Sequence, residues 1–261
     1  MNVEYDPINK RLLYFSSAAT PEYWDKHWEK SIDKINKSSK SEALTLTKKY
    51  LKKGSQILEG GCGFGQHVSA LFEAEYDVIG VDFAEKIVSE INKRAPHLNV
   101  KIGDLRNLEF EDNTFDGYWS LGVIEHFYDG YDSLISEMYR VLKPGGYLII
   151  SFPSMSPLRR LKAKLSMYKE FTMSDSEPSN FYQFALFTED VKRNLIKKGF
   201  TFKKQLGVAG LKGIKDEIPF TRPMLEKFYS TNIFLIKVVG FIFNKIVSPF
   251  AYHSKLLIFR K

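Results

Sequence analysis

The stretch Ile57-Leu58-Glu59-Gly60-Gly61-Cys62-Gly63-Phe64-Gly65-Gln66-His67-Val68 restricts this chain more than any other. A short apolar run ends in an acid, glycines follow at 61, 63 and 65, and helical apolar spacing begins at Val68, Leu71 and Phe72. The order predicts a strand, a tight turn and a helix start, which together bring a ligand against bare backbone at a helix N-terminus. Glycine suits such a turn because a Cβ would hold the ligand off or forbid a positive φ. A dinucleotide loop needs its third glycine three residues after the second. Counted from Gly61, that place is held by Gln66, so the spacing disfavours a hydride-transfer enzyme.

Further segments follow at helix-sized intervals. Tyr76–Phe83 is an apolar strand ending in Asp82, 17 residues beyond Gly65. An acid at the carboxyl end of a second strand is set to accept hydrogen bonds from two ribose hydroxyls. After a helical pattern over Ala84–Arg94, Val100–Leu105 ends in Gly103-Asp104-Leu105. Asn113-Thr114-Phe115-Asp116 then opens a fourth strand that runs into Ser120, and Lys143-Pro144-Gly145-Gly146 precedes a fifth. Alternating strands and helices imply a parallel sheet with right-handed crossovers.

These motifs, in this order over roughly Leu51–Pro153, resemble the class I S-adenosylmethionine-dependent methyltransferases, in particular the group that includes ubiquinone and menaquinone biosynthetic enzymes. The resemblance implies an α/β fold, a Rossmann-like seven-stranded mostly parallel sheet with helices on both faces and an antiparallel last strand. It implies S-adenosylmethionine as cofactor, held by Glu59, Gly61, Cys62, Gly63, Gly65, Asp82, Phe83, Asp104, Leu105 and Ser120. In that arrangement Phe83 covers one face of the adenine, Asp104 accepts from its exocyclic amine and the Leu105 backbone addresses a ring nitrogen.

Outside the matched core the expectations are coarser. Residues 1–40, rich in Tyr5, Tyr14, Phe15, Tyr23, Trp24 and Trp28, read as helical, with Thr20 capping and Pro21 at the first helical position. By resemblance such a segment is a lid over the cofactor; its aromatics serve equally to pack a core. Ser38–Ser41 reads as a polar joint, and Glu42–Lys53 as a helix leading into residues 41–153, the cofactor-binding core. Residues 154–261 form an acceptor-side half that completes the sheet, with insertions at 154–186 and at about 209–254. Thr188 is the expected N-cap of a helix to Lys198, Thr201–Val208 the sixth strand and Lys255–Arg260 the last. The second insertion holds Ile233–Val247, apolar but for a narrow stripe of Lys237, Asn244, Lys245 and Ser248; it suits a membrane interface, a cap on an apolar acceptor pocket, or core packing.

Charge is divided unevenly. Met1–Phe152 carries 18 Lys+Arg against 23 Asp+Glu, and Pro153–Lys261 carries 20 against 8. A basic second half suits an anionic substrate, a membrane surface or nucleic acid. Ser154–Ser179 is basic and then polar, with Arg159, Arg160, Lys162, Lys164 and Lys169, and on the membrane reading the first four are expected to contact anionic lipid. One cysteine, Cys62, excludes a disulfide framework and a cysteine-based zinc site. The N-terminus shows no basic-then-apolar signal segment, so a cytoplasmic protein with peripheral membrane contact is expected.

Methyl transfer from a sulfonium is an in-line displacement in which alignment and exclusion of water matter most. A base is needed where the acceptor arrives protonated. Glu125 and His126, in Leu121-Gly122-Val123-Ile124-Glu125-His126-Phe127 beyond the fourth strand, are the candidates; in relatives the pair also serves to hold the loop. Ubiquinone O-methyltransferases, similar here, place another Glu where Gly122 stands, so no metal is expected. His67 reads as a surface residue at a helix start. The resulting reading is methyl transfer to a small-molecule or lipid-like acceptor; the alternatives are an RNA methyltransferase and a non-catalytic binding or scaffold protein. The Asn/Asp-Pro-Pro-aromatic motif of amino-methylases is absent after Ser120, so nucleic acid is the weaker partner.

Overall fold

The computed structural model describes residues 2–29, 32–35, 41–172, 178–230 and 233–261. The helical expectation fails for residues 2–15. Asn2–Asp6 (β1) and Arg11–Phe15 (β2) pair antiparallel instead. Val3 and Tyr5 in β1 and Tyr14 and Phe15 in β2 are residue types that favour strand, and Asp6 closes the turn between them. Its carboxylate accepts from the backbone N–H groups of Ile8 and Asn9, each at 3.0 Å, and from Arg11 Nε at 3.1 Å. Helix begins only at Pro21–Glu29 (α1), where Thr20 Oγ1 accepts from Tyr23 N at 3.2 Å. The joint expected at Ser38–Ser41 lies outside the described residues except for Ser41, which caps Glu42–Tyr50 (α2) by accepting from Leu44 N.

The chain then alternates as its motifs imply: Gln56–Gly60 (β3), Gln66–Glu73 (α3), Asp77–Asp82 (β4), Glu85–Arg94 (α4), Asn99–Ile102 (β5), Phe115–Leu121 (β6), Asp132–Val141 (α5) and Leu142–Pro153 (β7). There follow Pro157–Lys164 (α6), Lys169–Glu170 (β8), Phe181–Ala185 (β9), Thr188–Lys198 (α7) and Thr201–Val208 (β10). Gly210–Glu217 (α8), Arg222–Ser230 (α9), Phe234–Ala251 (α10) and Ser254–Arg260 (β11) complete the described elements.

Seven strands form one sheet in the order β10-β11-β7-β6-β3-β4-β5, in which β11 alone runs antiparallel to the rest. Successive residues of the central strands serve opposite faces, since side chains alternate across a strand. Leu58, Tyr118 and Ile150 enter one core, while Ile57, Trp119 and Ile149 enter the other. A sheet buried on both faces must be covered on both sides by helices, hence the near-continuous apolar runs in its strands. Strand order reverses between β3 and β6, which opens a crevice at their carboxyl ends. A second sheet, β8-β1-β2-β9, is built from the opening hairpin and the first insertion.

Two local expectations are corrected. Thr188 does not cap α7 with its side chain; its hydroxyl lies 2.6 Å from Ser154 Oγ, and Phe187 holds the cap position. Arg159 is no surface cation. It is fully buried, its Nε donating to Glu217 Oε1 at 2.8 Å and one terminal nitrogen to the Ser154 carbonyl at 2.9 Å, and Lys162 Nζ joins Glu217 Oε2 at 2.7 Å. A guanidinium can be buried there because fixed acceptors meet its planar donors.

Candidate functional site

At the carboxyl end of β3 the chain turns sharply. Gly61 has φ +76° and Gly63 φ +52°, and a Cβ on Gly61 would meet Val123 while one on Gly63 would meet the Trp28 indole at 2.9 Å. The loop is pinned from β4: Gly61 N donates to the Val81 carbonyl at 2.8 Å, and Gly63 N donates to Asp82 Oδ2 at 2.8 Å. Asp82 Oδ1 accepts from Ala84 N at 3.0 Å. Asp82 thus locks the turn that follows β3 to the turn that follows β4. Burial pushes its carboxyl above the ordinary range, opposed by those backbone donors.

A cavity of about 340 Å³ opens over this corner. Among its lining residues are Gly61, Asp82, Phe83, Asp104, Leu105 and His126. Glu59, Cys62, Gly63, Gly65, Ser120 and Glu125 do not line it. Glu59 lies beneath the loop, buried, with Oε2 lacking a partner among the described residues; burial, and then the Asp82 charge, raise its pKa well above the usual value. Cys62 is a buried free thiol, raised first by burial and then by the charges of Asp82 and Glu59. Gly65 has φ +78° and starts α3, and Ser120 Oγ is buried without a partner among the described residues. Asp104 is engaged by Arg106, which donates to both its oxygens at 2.7 to 3.1 Å and holds its carboxyl below the usual range.

Helix α1 supplies Trp24 and Trp28 to the same cavity wall. Trp28 packs on Phe64 with ring centres 5.2 Å apart, Trp24 stacks on Trp28 at 5.6 Å, and the His126 ring meets Trp24 edge-on at 4.9 Å. An aromatic series therefore runs from the glycine loop to His126. His126 belongs to a short 3₁₀ turn, Ile124–His126, beyond β6. Its Nδ1 lies 2.7 Å from the Tyr182 carbonyl on β9, and burial lowers its pKa to about 4. Its neighbour Glu125 turns inward; it is buried, with Oε2 unpartnered among the described residues and a pKa raised by burial to about 8. The Glu125–His126 pair is thereby split, and only His126 reaches the cavity.

A second, more open cavity of about 640 Å³ adjoins the first. Ala19, Arg106, His126 and Phe127 line both. Sequence reasoning missed Arg106, although a base two residues after Asp104 in a turn was a readable signal. The Tyr182 carbonyl, 56 residues from His126, left none. His67 is corrected as well: it is largely buried against Trp119, ring centres 5.8 Å apart, and burial lowers its pKa to about 4.

Residues 58–150 match the family described as a methyltransferase domain. A demethylmenaquinone methyltransferase of Staphylococcus aureus is 32% identical over 169 residues, covering 58% of this chain and 69% of that protein. The chain belongs to the class I S-adenosylmethionine-dependent methyltransferases. A probable S-adenosylmethionine-dependent methyltransferase of Mycolicibacterium smegmatis is 35% identical over 101 residues, 39% of each chain. For several of these curated relatives the chain spans about half of their length or less. Among solved structures, phosphoethanolamine N-methyltransferase 2 of Haemonchus contortus, in complex with S-adenosyl-L-methionine, has a TM-score of 0.57 at 18% identity, over 92% of this chain and 59% of that one. That likeness is one of fold.

The methyltransferase cofactor, S-adenosylmethionine, carries two cationic centres, an adenosine and an amino-acid end. The residues present suit it. The corner holds buried carboxylates in Glu59 and Asp82, a glycine turn that admits no Cβ at 61 or 63, and an aromatic side chain, Phe83, at the mouth. Cationic charge bound in the cavity beside Asp82 would favour its ionised form and so oppose the effect of burial on its pKa.

Proposed function

We propose that this methyltransferase alkylates a small, largely apolar acceptor of the quinol type, bound in the larger cavity. The observation that carries the reading is His126, which lines both cavities and offers a neutral imidazole at their boundary. The demethylmenaquinone methyltransferase name of the staphylococcal relatives supports an acceptor with an activated ring.

Bound S-adenosylmethionine supplies an activated methyl group. Gly61 and Asp82 would hold its amino-acid and ribose ends, and Phe83, Asp104 and Leu105 its adenine. Trp24 and Trp28 would exclude water from the reacting centre. A quinol-type acceptor arrives with a proton to lose, and the imidazole of His126 takes it at Nε2, because Nδ1 is committed to the Tyr182 carbonyl. Glu125, neutral below about pH 8 and turned inward, would hold the 3₁₀ turn and take no part in proton transfer.

The test is transfer of a labelled methyl group from S-adenosylmethionine to a panel of reduced demethylmenaquinone, simpler phenols, phosphoethanolamine and RNA. Label in the quinol and phenol fractions is expected. Label in RNA alone, or none anywhere, overturns the acceptor assignment.

A further inference from the structure

We infer that the outer face of α10, with the adjoining end of α6, is a docking surface for an anionic lipid bilayer. Helix α10 is packed inside out. The stripe it turns to the protein is Gly240, Asn244, Ser248 and Ala251. Asn244 Oδ1 accepts from Leu211 N at 3.0 Å, and Ser248 Oγ accepts from Gly210 N at 3.2 Å. A Cβ on Gly213 would run into the Ala251 carbonyl, so α8 and α10 meet backbone to backbone. On the opposite face Leu235, Val239, Ile242 and Ile246, spaced i, i+4, i+7 and i+11, stand 48 to 69% exposed. A helix on the surface of a water-soluble core shows the reverse, bulky apolar side chains inward and polar ones outward. Small residues at the helix–helix contact with bulky ones facing out is the packing of a helix whose solvent is apolar.

Helix α6 packs beside α10, and Leu161 on it and Leu165 and Met167 just beyond its end are exposed as well. Its surroundings are cationic. No acid occurs after Glu226. On α8, Glu217 is paired with Arg159 and Lys162, and Asp216 keeps its charge, accepting from His253 Nδ1 at 2.8 Å with the Lys212 cation beside it. Lys245 Nζ sits 4.7 Å from the Phe241 ring at the margin of the apolar face, and Arg160 and Lys164 are exposed on α6. An apolar face bordered by cations fits anionic headgroups over acyl chains. A second copy of the chain on the same face would set cations against cations.

Helix α10 is long and apolar enough to cross a bilayer by composition. Its hydrogen bonds to α8 tie it along the protein surface, however, so it lies in the interface. The topology also gives the face a direction. Val208 and Pro153, the carboxyl ends of β10 and β7, both pair with Ser254. The α6 and α8–α10 segments therefore leave the same edge of the sheet as the glycine loop, Asp82 and His126. Docking there brings the cavities to the edge from which an apolar acceptor would come.

The test is flotation of the full chain with vesicles of phosphatidylcholine and phosphatidylglycerol, and with phosphatidylcholine alone, without cofactor or acceptor. The wild type is expected to float with the anionic vesicles and far less with the neutral ones. Ile242→Glu and Ile246→Glu are each expected to weaken partitioning about tenfold. Ile246→Ser serves as a milder second variant, and Tm and S-adenosylmethionine binding are measured on the same preparations. Equal flotation of wild type and variants overturns the inference. So does retention in the membrane after an alkaline carbonate wash, which would mean a crossing helix, or a lipid-free dimer that Ile246→Glu converts to monomer. Because no acceptor is present, failure here leaves the methyl-transfer reading standing, and intact S-adenosylmethionine binding separates the two.

Discussion

The His126 imidazole donates through Nδ1 to the Tyr182 carbonyl 2.7 Å away. A carbonyl only accepts, so the proton sits on Nδ1 and the lone pair on Nε2. Burial lowers the pKa to about 4, which keeps the ring neutral through the working range. The acid limb of kcat/KM is therefore expected near pH 4, well below the usual histidine range. His126→Ala should lower kcat by about 10²- to 10⁴-fold while S-adenosylmethionine affinity holds. An unchanged kcat would reduce the ring to a packing partner of Trp24.

Glu125 gives a pH dependence of stability with a definite sign. Its folded-state pKa is raised by burial from 4.5 to about 8. The folded state then binds the proton more tightly than the unfolded one. Stability from this group is fully present below about pH 4.5 and is lost as pH rises toward 8, by up to about 1.4 kcal/mol per pH unit. Glu125→Gln should flatten that slope in denaturant titrations between pH 5 and 8. A variant with the wild-type slope would show that the carboxyl is not buried as described.

Asp82 holds Gly63 N and Ala84 N and lines the cavity over the glycine loop, where the proposed function puts the cofactor ribose. Asp82→Ala should weaken S-adenosylmethionine binding by about 1.5–3 kcal/mol for each charged hydrogen bond lost, at least tenfold in Kd. Calorimetry giving an unchanged Kd would remove the ribose assignment.

Trp28 lies against Gly63 and packs on Phe64. Addition of S-adenosylmethionine should perturb tryptophan fluorescence, and Trp28→Phe should remove most of that response. A full response from the variant would place the reporter elsewhere, with Trp119 and Trp24 as the alternatives.

Arg159 and Glu217 form a buried pair with 0 and 5% of their side chains exposed. Removing one partner strands the other charge, so Arg159→Ala should cost about 3–5 kcal/mol of stability. Thermal unfolding would read this as a clear drop in Tm. A Tm like the wild type's would return Arg159 to the surface.

Legibility in the sequence followed the range of the interactions involved. The strand ends at Gly60 and Asp82 and the sixth strand were readable from local pattern, whereas Lys143–Gly146, expected as a turn before the fifth strand, is an irregular stretch inside β7, where the register against β6 shifts. The opening hairpin was not readable, because the Asp6 turn competes with helix only once β2 has β9 to pair with. For the site, the glycine turn and the acids at 82 and 104 were legible, whereas the split of Glu125 from His126 depends on Tyr182 and on burial. The stripe of Lys237, Asn244, Lys245 and Ser248 was visible as a pattern. That Asn244 and Ser248 face inward follows from Leu211 and Gly210, over 30 residues away.

The most direct measurement is calorimetric titration of the purified protein with S-adenosylmethionine and, separately, with NADH. Saturable binding of S-adenosylmethionine at one site, weakened by Asp82→Ala and absent for NADH, is the expected result. No binding of S-adenosylmethionine, or binding of NADH in its place, would contradict the assignment of the glycine-loop cavity on which the rest depends.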